Sequence, residues 1–293
     1  MPIVTFDTST HNLMLDRGLA EEQFAAIRSQ RYVRLAGLAI EEMVATPDEE
    51  RRAALFRVAA HVTADSEYSD TLMPPHELVK TLILAHYANP WTFKWWEQPV
   101  VADSYHDEIR GPSLIMDSAL SAEQRQQNED LKRTFRKNFT GIRGKYDAVF
   151  EERGVPRPRG YRESLRDMQS RPYRFDISLA KTYYDRIADT NLSRYRVGEF
   201  ISICDPLRAY LHAYHMGRYD LALRDPHHGG RFQSGRNDLH MAVYLPYCDE
   251  FVTDEKKGEH ARCMKEVVSV TGLLTNIITF DEFYDGLLRE KRS

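Results

Sequence analysis

Cysteine is scarce in this chain: Cys204, Cys248 and Cys263 are an odd number, widely separated, with no Cys-x-x-Cys spacing. Such a set supplies neither a disulfide framework nor a zinc site, so buried thiols are expected instead. Long apolar runs are missing as well, and no stretch approaches the ~20 residues needed to span a bilayer. The N-terminus lacks the basic and then apolar layout of a secretory signal. A cytoplasmic protein with no membrane partner is therefore expected. No Gly-rich P-loop, Gly-x-Ser-x-Gly elbow or dinucleotide fingerprint is present, which sets those enzyme classes aside. Internal repeats and low-complexity tracts are also absent.

What is present is ordinary in bulk and uneven in detail. With 293 residues, 42% hydrophobic and 29% charged, the chain can bury a substantial core. Its net charge of −4 argues against a uniformly basic nucleic-acid binder. Between Lys132 and Arg174, however, 13 Lys or Arg stand against 5 Asp or Glu, a local +8 that leaves −12 for the remainder. A basic module is set into an acidic body.

Short β-prone runs occur at both ends. Ile3-Val4-Thr5-Phe6 reads as a strand leading through Asp7-Thr8-Ser9-Thr10 into a helix, and Tyr32 to Leu38 reads as a second strand. Thr46-Pro47-Asp48-Glu49 has the Thr-x-x-Glu form of a capping box before a helix over 50–62, and Leu78 to Ala88 is a further helix. From about 90 to 235 strand signals are lacking, and helical patterns occur at 122–137, 146–153, 179–188 and 206–214. The last quarter returns to alternation, with a helix start at Asp238, a strand over 250–253, a helix over 259–272 and a final strand over 276–280. The expected fold class is α/β, with a mainly parallel central sheet flanked by helices and interrupted by a helical insertion. The expected division is 1–90 for the first part of the core, 91–235 for the partly basic insertion and 236–293 for the second part of the core.

Asp7 directly follows the first strand and Asp254 follows the strand ending at Thr253. Ligands of an open parallel sheet bind outside the carboxyl ends of its strands, so these two acids should face one crevice. Glu42, just after the second strand, and Asp238, at a helix start, can join them. Gathered carboxylates repel one another unless a cation intervenes, and hard oxygen ligands select Mg²⁺ or Mn²⁺. A metal held this way activates water and neutralises charge on a phosphate, which points to phosphodiester hydrolysis. Taken singly, each acid also fits a cap, a turn or a solvated face.

The segments Val4-Thr5-Phe6-Asp7-Thr8-Ser9, Ile40-Glu41-Glu42-Met43, Asn237-Asp238-Leu239-His240-Met241-Ala242 and Asp249 to Glu255 resemble, in order, the acidic motifs of the PIN-domain superfamily. Ile277 to Phe283 is similar to that family's closing strand and aromatic cap. The resemblance covers roughly the first 90 and last 60 residues and leaves the middle of the chain unmatched. It implies a metal-dependent endonuclease, most often acting on RNA. Asp7, Glu42 and Asp238 would hold Mg²⁺ or Mn²⁺ directly or through water. Either Asp254 or Glu255 would be the fourth acid, and Ser9 and Thr253 would orient the acids or a phosphate.

The basic insertion, with Arg157, Arg159 and Arg162 at its centre and aromatics such as Phe135, Phe139, Tyr146, Phe150 and Tyr161 interleaved, is expected to bind nucleic acid. A solvated helical cap whose aromatics form its own core is the plainer alternative. His212 and His215, one helical turn apart, with His227-His228 beyond, lack the spacing of a metal site. Trp91, Trp95 and Trp96 are expected to anchor the inserted helices. Three other functions remain in view: a DNA nuclease of the same fold, a catalytically silent scaffold that binds a partner, and an aspartyl phosphatase using Asp7. For the last, Ser9 stands where a second acid is wanted. Association with a regulatory protein or with a second copy of the chain stays open.

Overall fold

A computed structural model of the chain describes residues 1–64, 69–102, 118–169, 174–227, 235–254 and 259–290. At its centre is a five-stranded, wholly parallel sheet in the order β3-β2-β1-β4-β5. Its strands are β1 (Ile3–Phe6), β2 (Tyr32–Ala36), β3 (Ser69–Leu72), β4 (Glu250–Thr253) and β5 (Asn276–Thr279). Val4, Phe6, Val33, Leu35, Phe251 and Val252 are fully buried, as expected of parallel strands covered on both faces. The α/β class, with a parallel sheet flanked by helices, is as expected.

Helices fill each crossover. α1 (Thr8–Arg17) and α2 (Glu21–Gln30) link β1 to β2; α3 (Gly37–Val44) and α4 (Glu49–Val62) link β2 to β3. Between β3 and β4 run α5 (Pro75–Ala88), α6 (Ser118–Arg153), α7 (Tyr161–Gln169), α8 (Phe175–Ile187), α9 (Arg194–Ile203), α10 (Asp205–Arg218) and the short α11 (Arg236–His240). α12 (Glu259–Thr271) joins β4 to β5, and α13 (Phe280–Glu290) closes the chain. The chain thus steps outward from β1 on one side and then returns to the other side at β4. That reversal makes the β1/β4 boundary the topological switch point of the sheet, where a crevice opens at the strands' carboxyl ends.

The segment 91–235 shares its core with the sheet. Phe135, Phe139, Tyr184, Phe200, Leu211 and Tyr219 are buried in the same continuous apolar cluster as Phe6 and Val252. Several local expectations are corrected. The second strand stops at Ala36, because α3 starts at Gly37. The N-cap of α4 is Asp48, which accepts from the Arg51 amide, so Thr46 is not the capping residue. The patterns at 122–137 and 146–153 belong to one 36-residue helix, α6. The strand Ser69–Leu72 was not anticipated. The closing strand ends at Thr279, and Phe280 and Phe283 belong to α13. The three cysteines are free and buried, as expected. Trp95 packs edge-on against Tyr247 at 5.1 Å, whereas Trp91 and Trp96 are exposed, Trp91 under the Arg196 guanidinium and Trp96 edge-on to Trp95.

Gly37 sets the entry of α3, the helix that carries Glu42. A Cβ there would stand 2.5 Å from the Leu72 carbonyl oxygen and 2.6 Å from the Pro74 nitrogen, both backbone atoms that cannot swing aside. The same corner is closed by the Tyr244 hydroxyl, which accepts from the Leu38 amide and donates to the Met73 carbonyl, each at 3.0 Å. Gly37→Ala is therefore expected to cost about 2 kcal/mol or more, the scale of overfilling a close contact, and to lower the thermal midpoint by about 5 °C. An unchanged midpoint in calorimetry would show that α3 does not approach the turn after β3 this closely.

Candidate active site

The predicted acids end up on one pocket. Asp7, Glu42, Asp238 and Asp254 all line a cavity of about 470 Å³ at the carboxyl edge of the sheet, together with Thr8, Ser9, Asn237, Thr253, His260, Lys132 and Arg136. Asp7 arrives from the end of β1, Asp254 from the end of β4, Glu42 from α3 and Asp238 from α11. Glu255 lies outside the described residues, as do His228 and the Gly229-Gly230 pair.

Asp7 is buried and is the N-cap of α1. Its Oδ1 accepts from the Thr10 amide and the Thr10 hydroxyl, both at 2.7 Å, and Ser9 Oγ reaches both carboxylate oxygens at 2.8 Å. Oδ2 also accepts from Thr253 Oγ1 at 2.5 Å and faces His260 Nδ1 at 3.1 Å. These donors more than fill the roughly four lone-pair sites of a carboxylate. Burial alone would raise its pKa, but the hydrogen bond and charge of His260, then Thr253 and Thr10, outweigh it and bring the group down to about 2. Ser9 and Thr253, expected to orient the acids, therefore both act on Asp7. Ser9 Oγ also accepts from the Asp254 amide at 3.2 Å, joining the ends of β1 and β4.

Glu42 is held differently. Thr8 Oγ1 donates to Oε2 at 2.5 Å and Asn237 Nδ2 donates to Oε1 at 2.8 Å, so this side chain bridges α1 and α11. Burial raises its pKa; the two hydrogen bonds oppose the rise, and the Asp238 charge adds to it. Asp238 is half-buried and sits at the third position of α11, where Oδ2 accepts from the Gly235 amide at 2.8 Å. Its neighbour Asn237 carries a structural role that the sequence did not mark.

His260, on the first turn of α12, was also unforeseen. Burial pushes its pKa down, but the Asp7 carboxylate outweighs that, with Asp238 and Glu42 adding, so the imidazole is held above its ordinary value. It is the second residue of the helix that follows β4, and nothing in the local sequence singles it out. Although the acids share one pocket, no three His, Cys, Asp or Glu among the described residues come together in an arrangement able to hold a metal ion.

The three arginines expected to bind nucleic acid do not line this pocket. The Arg157 guanidinium donates to the carbonyls of Ala222 and Leu223, each at 3.0 Å, pairs with Asp147 and lies over the Phe150 ring. Arg162 binds Glu266 at 2.7 Å and Ser269 at 2.9 Å, and Arg159 is exposed. Phe135, Phe139 and Tyr161 are buried, so these aromatics form core, but a core shared with the sheet and not one of the insertion's own. His212 and His215 are buried against Tyr161 and Ser164, and burial holds His212 down to about 4.

The Asp7–His260 pair has a pH signature. Asp7, depressed in the fold, contributes stability that is present above its ordinary value of 3.8 and lost as pH falls towards about 2. His260, raised in the fold, contributes stability that is complete below 6.5 and lost as pH rises through its folded value. The pair is strongest between those limits. The thermal midpoint of the natural chain should therefore exceed that of His260→Gln by more at pH 6 than at pH 8, and an equal gap at both would rule the pair out. Comparisons with protein-family models, with curated proteins and with solved structures found no match to this chain.

Proposed function

We infer that this chain is a divalent-metal-dependent endonuclease on a PIN-like fold, with RNA as the favoured substrate and the acidic pocket as its active centre. The support is one convergence. Asp7, Glu42, Asp238 and Asp254, chosen from sequence and spread from one end of the chain to the other, line a single pocket at the sheet's switch point.

The donors suit Mg²⁺ or Mn²⁺, being hard oxygens with no thiolate among them. No three His, Cys, Asp or Glu among the described residues come together in an arrangement able to hold a metal ion, so an ion here would be held largely through its own waters. Glu42, Asp238 and Asp254 would hold it. Asp7, with its lone pairs committed, would do so only by releasing Ser9 or His260, or through water. When bound, the metal would supply charge to offset that on the reacting phosphate and would activate water. Ser9, Thr10 and Thr253 keep the Asp7 carboxylate fixed and ionised at the β1/β4 boundary, while Thr8 and Asn237 fix Glu42 across from it.

One observation favours a second reading, that of a silent scaffold: the Asp7 charge is already balanced by His260 within the fold. Calorimetry separates the two, because a scaffold of this kind would take up no Mn²⁺.

The decisive substitution is Asp238→Asn. Asp238 is half-buried, and an amide oxygen can still accept from the Gly235 amide, so the fold should persist. The natural chain is expected to cleave labelled RNA in Mn²⁺ and to stop when EDTA is added. Asp238→Asn should lose about two orders of magnitude in rate or more, the scale of removing one charge-stabilising group from a reacting centre. A parallel DNA substrate decides between the sugars, which phosphate chemistry alone does not read. Full activity in Asp238→Asn would remove this pocket as the active centre.

A further inference from the structure

A pocket lined by four carboxylates should repel a polyanion, yet one of its walls is cationic. Lys132 and Arg136 stand four residues apart on α6, a spacing that puts both on one side of the helix, and both line the acidic pocket. α6 packs against α3, which carries Glu42, and against α11, which carries Asp238. Its placement is set by buried aromatics: Phe135, between the two cations in sequence, presses so closely on α10 that a Cβ at Gly217 would stand 2.5 Å from its ring. The Lys132 charge is felt at Glu42, where it opposes the rise in pKa.

Neither cation is used up. Among the described residues Lys132 pairs only with Glu129, one turn back, at 3.6 Å, in a pair open to solvent. Arg136 forms no ion pair among the described residues, and neither residue bridges to an acid of the pocket. Arg157 and Arg162 are by contrast spent on internal carbonyls and on Glu266. A third donor lines the same cavity: His260 is buried, and its Nε2 has no hydrogen-bond partner among the described residues. Cationic donors not bridged to the acids beside them are what an incoming phosphate would satisfy.

We propose that Lys132 and Arg136 bind the phosphate backbone of the nucleic acid at this pocket, gripping it against the carboxylate wall. This rests on the nuclease reading of the site. It moves the substrate contact away from Arg157, Arg159 and Arg162, and makes α6 a substrate-binding helix whose register is fixed by Phe135 and Phe139.

The test uses the full chain and a fluorescein-labelled 12-nucleotide RNA, with binding followed by anisotropy in Ca²⁺ over a range of salt. Lys132→Ala with Arg136→Ala should weaken binding roughly tenfold at 0.1 M salt and make the log–log salt slope shallower by about 1.4, two phosphate contacts on a single strand. The pair Lys132→Arg with Arg136→Lys should keep both affinity and slope. Thermal midpoints should stay put, since Lys132 is half-buried and Arg136 exposed. Natural affinity and slope in the double alanine variant would overturn the proposal, and cleavage of RNA by the natural chain in Mn²⁺ would then show that the nuclease reading survives it. Tighter Mn²⁺ binding in that variant with RNA affinity unchanged would also overturn it, by making the two cations mere counter-charges to Glu42. If the natural chain binds RNA with the predicted salt response but never cuts it in Mn²⁺, the phosphate grip is upheld and the nuclease reading is the one that fails.

Discussion

The architecture of the crevice depends on a carboxylate that cannot be solvated. Asp7 ends the central strand β1 inside the protein, and an ionised group there is tolerated only if its oxygens are fully hydrogen-bonded and its charge is met. Both conditions are fulfilled by groups from separate parts of the chain: the Thr10 amide and hydroxyl and Ser9 on α1, Thr253 at the end of β4, and His260 on α12. Each bond also fixes a segment. Capping by Asp7 starts α1, Thr253 ties β4 to β1, and His260 draws the first turn of α12 across the strand ends. Removing the charge would leave a buried imidazolium with no counter-ion, so Asp7 carries fold and site together, and its loss does not isolate a chemical role.

With β1 and β4 joined in this way, sheet order determines the rest. The chain leaves β1 towards β2 and β3 and comes back to β4, so the two connections diverge and open a crevice above the strand ends. Helices α3 and α11 bring Glu42 and Asp238 to its rim, and the Asn237 amide links them. The long helix α6 spans the same opening because its aromatic stripe is buried on α10 and on the residues that follow it. The segment that interrupts the sheet in sequence is thus one wall of the crevice in space.

Much of this frame was legible in the sequence, and the gaps have physical causes. β1, β4 and β5 are short runs rich in Ile, Val, Phe and Thr flanked by polar residues, and their limits were read almost to the residue. β3 is Ser-Asp-Thr-Leu, too polar to register as a strand; it is held by pairing with β2 and by the Arg34–Asp70 ion pair at 2.8 Å. α6 was divided because Gly141 and Gly144 interrupt its middle, a local penalty that burial of Phe135 and Phe139 overrides. The acids were legible because strand ends and helix starts are positions with a known geometry. His260 was not, because its partner Asp7 lies 253 residues away and nothing local distinguishes it from any histidine in a helix. Lys132 and Arg136 were counted in the basic segment but not singled out, since charge density marks a region and only tertiary placement says which cations face the site.

The electrostatics of the pocket bear on what it can hold. By formal charge the four carboxylates are opposed by Lys132 and Arg136, and by His260 when it is protonated, which leaves a small net negative charge although the acids are numerous. A divalent cation entering alone would overshoot that balance, and a phosphate entering alone would meet an excess of acid. On the nuclease reading the two together would nearly cancel, with the cation held by Glu42, Asp238 and Asp254 and the phosphate met by the α6 cations. Solvent moderates this coupling, because Lys132, Asp238 and Asp254 are half-buried and Arg136 is exposed, and opposite charges attract less in water than in a closed interior. On the nuclease reading, metal and substrate should each raise the affinity for the other, since linkage between two sites is reciprocal. In the silent scaffold the same near-neutrality is already sufficient, with the His260–Asp7 pair as the standing substitute for the cation.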